Sequence, residues 1–377
     1  MPKKIIVVTV GHPRFDTRIW VKEISTLVAA GYEVEYCVAD GAGNESRDGV
    51  LIRDFGHIRE GGGAWHRIGT MARVALHCRV GRGSWLQFHD GIFLPFALLL
   101  ALGGRRVIYD VHEDYPRQVL NSRFPVWFKR IWSAGMSAME RLASSLFDGF
   151  VVATPTIANR FPVNKTVCVA NFPRIEEFAS LVHRPSISVS TTPVGIYIGL
   201  LAEVRGLNEM IDAIGEIDHA FPLRLRLGGR YSPPDLETAV ISRPGWERVD
   251  FLGWLNRSQV AVELGNARFG LVLLHPTVNY VDAYPVKLFE YMAAGIPVIA
   301  SDFPLWREIV ESAECGLLVD PLDTKAIAKA MKYLAHDADA AVAMGGRGRE
   351  AVERRYNWTR EGMKLVEAFE RWEVSTR

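Results

Sequence analysis

Short aliphatic runs recur along this chain at intervals that leave room for a helix between them. In the first half they read "KIIVVTV", "YEVEYCVA", "WLQFH", "RRVIYDV", "FDGFVVAT" and "TVCVAN", separated by stretches such as "DTRIWVKEISTLVAAG" with apolar residues at helical spacing. A strand that is apolar at every position, rather than at alternate ones, is covered on both faces. These runs therefore predict parallel strands between two helical layers, the doubly wound α/β class. The periodicity lapses in the Pro- and Ser-rich "HRPSISVSTTPVG" and restarts with "VGIYIGLL", "LRLRLGG", "RVDFLGWL", "RFGLVLLHP", "IPVIASD" and "CGLLVDP". Two Rossmann-like domains follow, residues 1–180 and 194–358, joined by a linker over 181–193. The tail, 359–377, reads as an amphipathic helix that either caps its own domain or crosses back to the first.

Composition agrees with this division. A chain of 377 residues exceeds one ordinary core and suits two domains. A hydrophobic share of 49%, 23% charged residues and a formal net charge of +1 describe a globular protein with no bulk attraction for nucleic acid. Cys37, Cys78, Cys168 and Cys315 lack metal or redox spacing and read as buried thiols in a reducing, cytoplasmic setting. The first apolar run is too short for a secretory signal, and the uncharged stretch from Gly91 to Gly104 is too short to span a bilayer, so both are assigned to the core. The stretch 124–147 mixes Trp127, Phe128 and Trp132 with Lys129 and Arg130. That mixture suits either ordinary core packing or an interfacial helix at the inner face of the cytoplasmic membrane.

Open α/β sheets bind ligands beyond the carboxyl ends of their strands, so residues that follow each apolar run are the candidates. In the first domain these are Gly11, His12, His89, His112 and Glu113; in the second they are Gly199, Gly229, Arg230, Gly253 and Trp254. Arg205 precedes a helix that starts near Leu207, where a guanidinium and free amides together suit a pyrophosphate. "DAYPVKLFE" repeats that logic, with Pro285 at a helix start, Lys287 beside the amides and Glu290 about one turn in. Asp282 lies on the preceding loop. No G-x-G-x-x-G, Walker, G-x-S-x-G or H-E-x-x-H pattern occurs, and Asp337 and Asp339 read as surface acids, so no metal and no cofactor are assigned.

The stretch "YPVKLFEYMAAGIPVIASDFPLWREIV", continued by "CGLLVDPLDTKAIAKAM", resembles the retaining glycosyltransferases of family 4. "YIGLLAEVRGLNEMIDAI" and "VIYDVHEDYP" are similar more loosely, and the likeness extends over essentially the whole chain. The resemblance implies the GT-B fold, two Rossmann-like domains facing across a cleft. It also implies hexosyl transfer from a nucleoside-diphosphate sugar, with UDP favoured over GDP, to a hydroxyl of a glycan or lipid-linked saccharide, as in bacterial polysaccharide assembly. By the same resemblance Glu290 takes the donor ribose, and Asp282 stands near the transferred sugar in place of the family's Glu. Arg205 takes the place of the diphosphate-binding Lys, Leu200 replaces a diphosphate-binding Arg, and His89 contacts the donor. Tyr284, Pro285, Val286 and Leu288 complete the donor stretch; His12, Arg14, Asp16, Arg18, His112 and Glu113 are assigned to the acceptor. A nucleotide-sugar epimerase of the same fold and a non-catalytic nucleotide-sugar-binding subunit are the alternatives.

Overall fold

A computed structural model of the chain describes residues 3–58, 63–80, 85–112, 115–116, 125–181 and 192–374. It divides into two compact units, Met1–Asn171 with Thr359–Arg377, and Phe172–Trp358. The division falls at Asn171 rather than at 180. The Phe172 ring packs on Tyr284, Phe289 and Tyr356, which assigns the segment after Asn171 to the second unit. Most of the linker predicted over 181–193 lies outside the described residues.

The first unit holds an eight-stranded sheet in the order β3-β4-β2-β1-β5-β6-β7-β8. Its strands are β1 (Lys4–Val8), β2 (Glu33–Val38), β3 (Glu45–Arg47), β4 (Val50–Asp54), β5 (Trp85–Phe88), β6 (Arg106–Val111), β7 (Gly149–Val152) and β8 (Thr166–Cys168). All neighbours pair in parallel except β3 with β4. The chain builds outwards from β1 in one direction and from β5 in the other, so the β1/β5 boundary is the topological switch point. The last helix, Trp358–Val374, packs on this sheet: Phe369 meets Trp85, and the Trp372 carbonyl accepts from Arg106 at 2.7 Å.

The second unit holds a six-stranded parallel sheet, β11-β10-β9-β12-β13-β14, with its switch point at β9/β12. These strands are β9 (Val194–Ile198), β10 (Arg224–Gly228), β11 (Val249–Gly253), β12 (Phe269–Val272), β13 (Val298–Ser301) and β14 (Gly316–Val319). Their inward residues, among them Tyr197, Leu225, Leu227, Phe269, Leu271 and Ile299, form one core with the helix Leu207–Gly215. The turn Pro244–Arg248 docks under that helix. Arg248 donates to the carbonyls of Ile214, Ile217 and Phe221 there, closing a helix end that would otherwise be unsatisfied.

All four cysteines are free thiols; Cys37, Cys78 and Cys315 are buried, whereas Cys168 is only half-buried. Burial pushes the Cys315 thiol up to about 12 and the Cys168 thiol up to about 11. Asp337 is a helix cap rather than a loose surface acid, its carboxylate accepting from the Ala340 amide at 2.9 Å.

Gly245 is the tightest point of the turn: a Cβ built there would lie 1.9 Å from the Ile211 carbonyl oxygen. Gly245→Ala is expected to lower stability by ~2–3 kcal/mol, read as a fall in Tm by calorimetry. Gly346, exposed in the helix Ala338–Arg354 with nothing within 4 Å of its Cβ position, is the control. Gly346→Ala should raise stability by about 0.5–1 kcal/mol.

Candidate functional site

The carboxyl edge of the second sheet brings together Gly199, Arg205, Gly229 and Lys287. Two short glycine turns make this possible. Gly199, at φ +149°, faces Lys287 so closely that a Cβ would lie 2.9 Å from Nζ; Gly229, at φ +144°, would drive a Cβ to 1.8 Å from the Gly199 carbonyl oxygen. Only residues without a side chain let the β9 and β10 ends come this near each other and Lys287.

Lys287 is the second residue of the helix Val286–Ala293, and Pro285 is its N-cap. Its ammonium lies over the Tyr197 ring, 4.3 Å from the centroid, and donates to Tyr197 Oη at 3.0 Å. The Tyr197 hydroxyl donates onward to the Leu200 carbonyl at 2.9 Å. Among the described residues no carboxylate lies within ion-pair distance of Lys287 or Arg205. Burial, followed by the nearby Arg205 charge, draws the Lys287 ammonium down from 10.5 to about 7. Two basic side chains with no ion-paired carboxylate among the described residues, Lys287 feeling the Glu290 charge only at longer range, therefore sit where two helices, Leu207–Gly215 and Val286–Ala293, direct their amino ends.

Glu290 lies one turn further along, half-buried, with Oε1 accepting from Arg257 at 2.6 Å. Arg257 also bonds Glu177 through Nε at 3.0 Å, and these two carboxylates hold its guanidinium proton well above the usual range against the burial that opposes it. Nothing in the local sequence around Arg257 marks it as Glu290's partner; it opens the helix Arg257–Asn266 and reaches Glu290 only through the fold. Asp282 ends the short helix Val278–Val281. The loop between it and Pro285 is pinned by Trp306, fully buried, whose indole donates to the Ala283 carbonyl at 2.8 Å. Leu288 is fully buried in the core, so only its backbone can face a ligand. Arg230 lies over Trp254, 5.8 Å from the ring centroid, at the rim beyond β10 and β11.

The first unit has its own polar centre at the β1/β5 switch point. Asp90 Oδ2 accepts from the Val10 amide at 2.6 Å and from Thr9 Oγ1 at 2.8 Å, while Oδ1 lies 3.1 Å from His12 Nδ1. Burial pushes the Asp90 carboxyl up, but His12 and the two donors outweigh it and hold it at about 2. His12 Nε2 meets His112 Nε2 at 3.2 Å, and His112 Nδ1 meets Asp110 at 3.1 Å. An unbroken chain Asp90–His12–His112–Asp110 results, able to pass or hold a proton between two anchored carboxylates. Gly11 leaves room for Asp90, since a Cβ there would lie 2.4 Å from its oxygen.

Several acceptor candidates have other partners. Arg14 is buried and forks onto Asp40 and Glu45; Asp16 caps the segment Thr17–Ile24 through the Arg18 and Ile19 amides. Arg18 is buried against Glu23, Asp110 and the Val169 carbonyl. Arg14 and Arg18 spend their charges inside the unit and Asp16 spends its carboxylate on backbone amides, whereas His12 and His112 are partly exposed. His89 is fully buried, with neither ring nitrogen hydrogen-bonded among the described residues, and burial lowers it to about 3, so it is neutral at ordinary pH. It stands 3.7 Å from Asp110 and touches no open surface, so it can act on a ligand only through that network. Glu113 lies outside the described residues. Among the described residues, His89, Asp110 and His112 also present three donor atoms close enough to hold a cation, with Arg18 adjacent.

Residues 192–337 match the family described as "Glycosyl transferases group 1". The chain is 28% identical over 177 residues to a phosphatidyl-myo-inositol mannosyltransferase of Mycobacterium leprae, 46% of each protein. It is 37% identical over 87 residues, 23% of each, to a GDP-mannose-dependent alpha-(1-6)-phosphatidylinositol monomannoside mannosyltransferase of Mycobacterium tuberculosis. The chain thus spans about half the length, or less, of these curated relatives. Its fold matches sucrose-phosphate synthase of Thermosynechococcus elongatus with a TM-score of 0.78 at 18% identity, covering 99% of this chain and 100% of that one.

An anion bound between Arg205 and Lys287 would pull the lysine back towards its ordinary pKa. Above about pH 7 the free side chain is mostly neutral, so binding must take up a proton, and affinity falls as pH rises from there. Calorimetry with pyrophosphate at about pH 8.5 should give enthalpies that differ between buffers of different ionisation heat, by up to about one proton taken up. Lys287→Met should abolish that difference; buffer-independent heat with the native chain would contradict the assignment.

Proposed function

We propose, for a chain that has the GT-B fold of the glycosyltransferases and carries a group 1 glycosyl transferase domain over residues 192–337, transfer of a hexose from a nucleoside-diphosphate sugar to a saccharide hydroxyl. The observation that carries this reading is the Arg205–Lys287 pair, without an ion-paired carboxylate among the described residues, at two helix amino ends, with Glu290 one turn away. A donor diphosphate neutralises the cations, and its ribose hydroxyls bond Glu290, oriented by Arg257. As the sugar–phosphate bond breaks, negative charge grows on the departing diphosphate, and fixed cations and amides stabilise it more than they stabilise the ground state. The two side chains supply the positive charge that a metal would otherwise bring, so the reaction is read as metal-independent.

Asp282, on the loop pinned by Trp306, faces the transferred sugar, one methylene shorter than a Glu would be. The acceptor hydroxyl attacks the anomeric carbon from the face the diphosphate leaves, the phosphate takes its proton, and configuration is retained. The His12–His112 pair offers the first unit's hydrogen bonds to the acceptor. The acceptor is read as a glycan or lipid-linked saccharide. The name of the M. tuberculosis relative carries GDP-mannose, so GDP stands beside UDP as the donor nucleotide to be tried.

The helix Val126–Leu146 supports contact with a bilayer surface. Trp127 is 67% exposed and Trp132 49% exposed, so core packing does not account for these rings. No described helix is long and apolar enough to cross a membrane.

Calorimetry with UDP and GDP should give binding of at least one by the native chain, weakened by Glu290→Ala about tenfold or more, equivalent to roughly 1.4 kcal/mol. Failure of both nucleotides to bind would remove the donor site; conversion of the sugar nucleotide to an epimer without acceptor would replace transfer with epimerisation. In flotation with anionic liposomes, Trp127→Ser/Trp132→Ser should reduce the bound fraction several-fold. Equal flotation of the two proteins would remove this helix from the membrane reading.

A further inference from the structure

A second site lies at the other edge of the first sheet. The helices Ala64–Val80 and Leu94–Leu102 lie side by side there, and between them is a cavity of about 460 Å³, within the size range of small-molecule sites. Ala72, Leu76, Phe96 and Leu99 wall it, and Arg79 and Arg105 stand on its lining. Arg105 directly precedes β6, so the cavity sits at the amino ends of the strands, whereas Asp90, His12 and His112 gather at the carboxyl ends.

Arg105 is the unusual member. It is only 9% exposed, and its Nε and one terminal nitrogen are buried with no hydrogen-bond partner among the described residues. Burial lowers its pKa, and the only opposing influence is the Cys78 thiol. A guanidinium whose buried nitrogens meet no acceptor is destabilising unless an anion completes it. Around it the surface is apolar: Leu76, Val80, Leu99 and Leu102 are all more than 60% exposed. Neither helix contains an Asp or Glu, while Arg67, Arg73 and Arg79 lie on the first. An apolar slot lined by two arginines, Arg79 and Arg105, between two acid-free helices fits one molecule class, an amphiphile with an anionic head.

We infer that this groove binds one anionic phospholipid, its acyl chain between the two helices and its phosphate on the Arg105 and Arg79 guanidinium groups. The phosphate matches the planar fork of an arginine, and the chain covers leucines that water now meets. The inference is independent of sugar transfer: a chain that bound no nucleotide would keep this groove.

The test uses lysophosphatidylglycerol and lysophosphatidylcholine of equal chain length, below their micellar concentrations, with binding followed by calorimetry on the full chain. Lysophosphatidylglycerol should bind saturably and at least about tenfold more tightly than the zwitterionic lipid, and inorganic phosphate alone should bind far more weakly. Arg105→Met should lose about tenfold or more of that affinity while holding or raising Tm without lipid, because an unpaired buried charge has been removed. Arg105→Lys should retain binding better than Arg105→Met, and Ala72→Phe, which fills the slot and keeps the charge, should weaken both lipids. Equal affinity for the two lipids, undiminished binding by Arg105→Met, or a lowered Tm for that variant would each overturn the assignment, the last by making Arg105 a structural group.

Discussion

A parallel strand flanked by helices on both faces has no side on which to carry polar chemistry, and this constraint orders the rest of the molecule. Apart from β3 the strands of both sheets are of this kind, so polar groups inside them, such as Gln87 and Asp110, must be paired internally, and the accessible ones gather at the strand ends and the helix termini beside them. The polar centres follow at the two switch points, β1/β5 and β9/β12, where diverging connections leave the carboxyl ends uncovered.

The two centres treat charge differently. In the first unit the buried Arg18 guanidinium pairs with Glu23 and Asp110, with Gln87 and the neutral His89 beside the same two carboxylates. Breaking such a network leaves a buried charge without a partner, and through Asp110 it also anchors the His112 imidazole. In the second unit Arg205 and Lys287 have no carboxylate in ion-pair reach among the described residues, and the lysine is drawn down to about 7. The fold thus withholds from the second site the counter-charge that it supplies in the first.

Much of this was legible in the chain. The aliphatic runs located the strands because burial on both faces leaves a continuous hydrophobic signal that needs no tertiary information. "DAYPVKLFE" located a helix start with a cation beside it, because Pro285 and Lys287 act within one turn. Arg257 and Trp306 were not legible as site residues. Each acts on a group 33 or 23 positions away, through contacts that local spacing does not encode. Arg14 and Arg18 were legible as polar residues after a strand, but their partners Asp40, Glu45 and Asp110 lie on other segments, and only those partners reveal that the charges are spent.

Local periodicity, together with residues within one turn of one another, was enough to set the fold class, the two-domain organisation and the helix start that carries Pro285 and Lys287. Tertiary structure alone decided which charges are paired, that Phe172 moves the domain division to Asn171, that Trp127 and Trp132 face outwards, and that Arg105 is buried without a partner. The physical reason is the same in every case. Burial and ion pairing are properties of what surrounds a side chain, and residues distant in the sequence supply those surroundings.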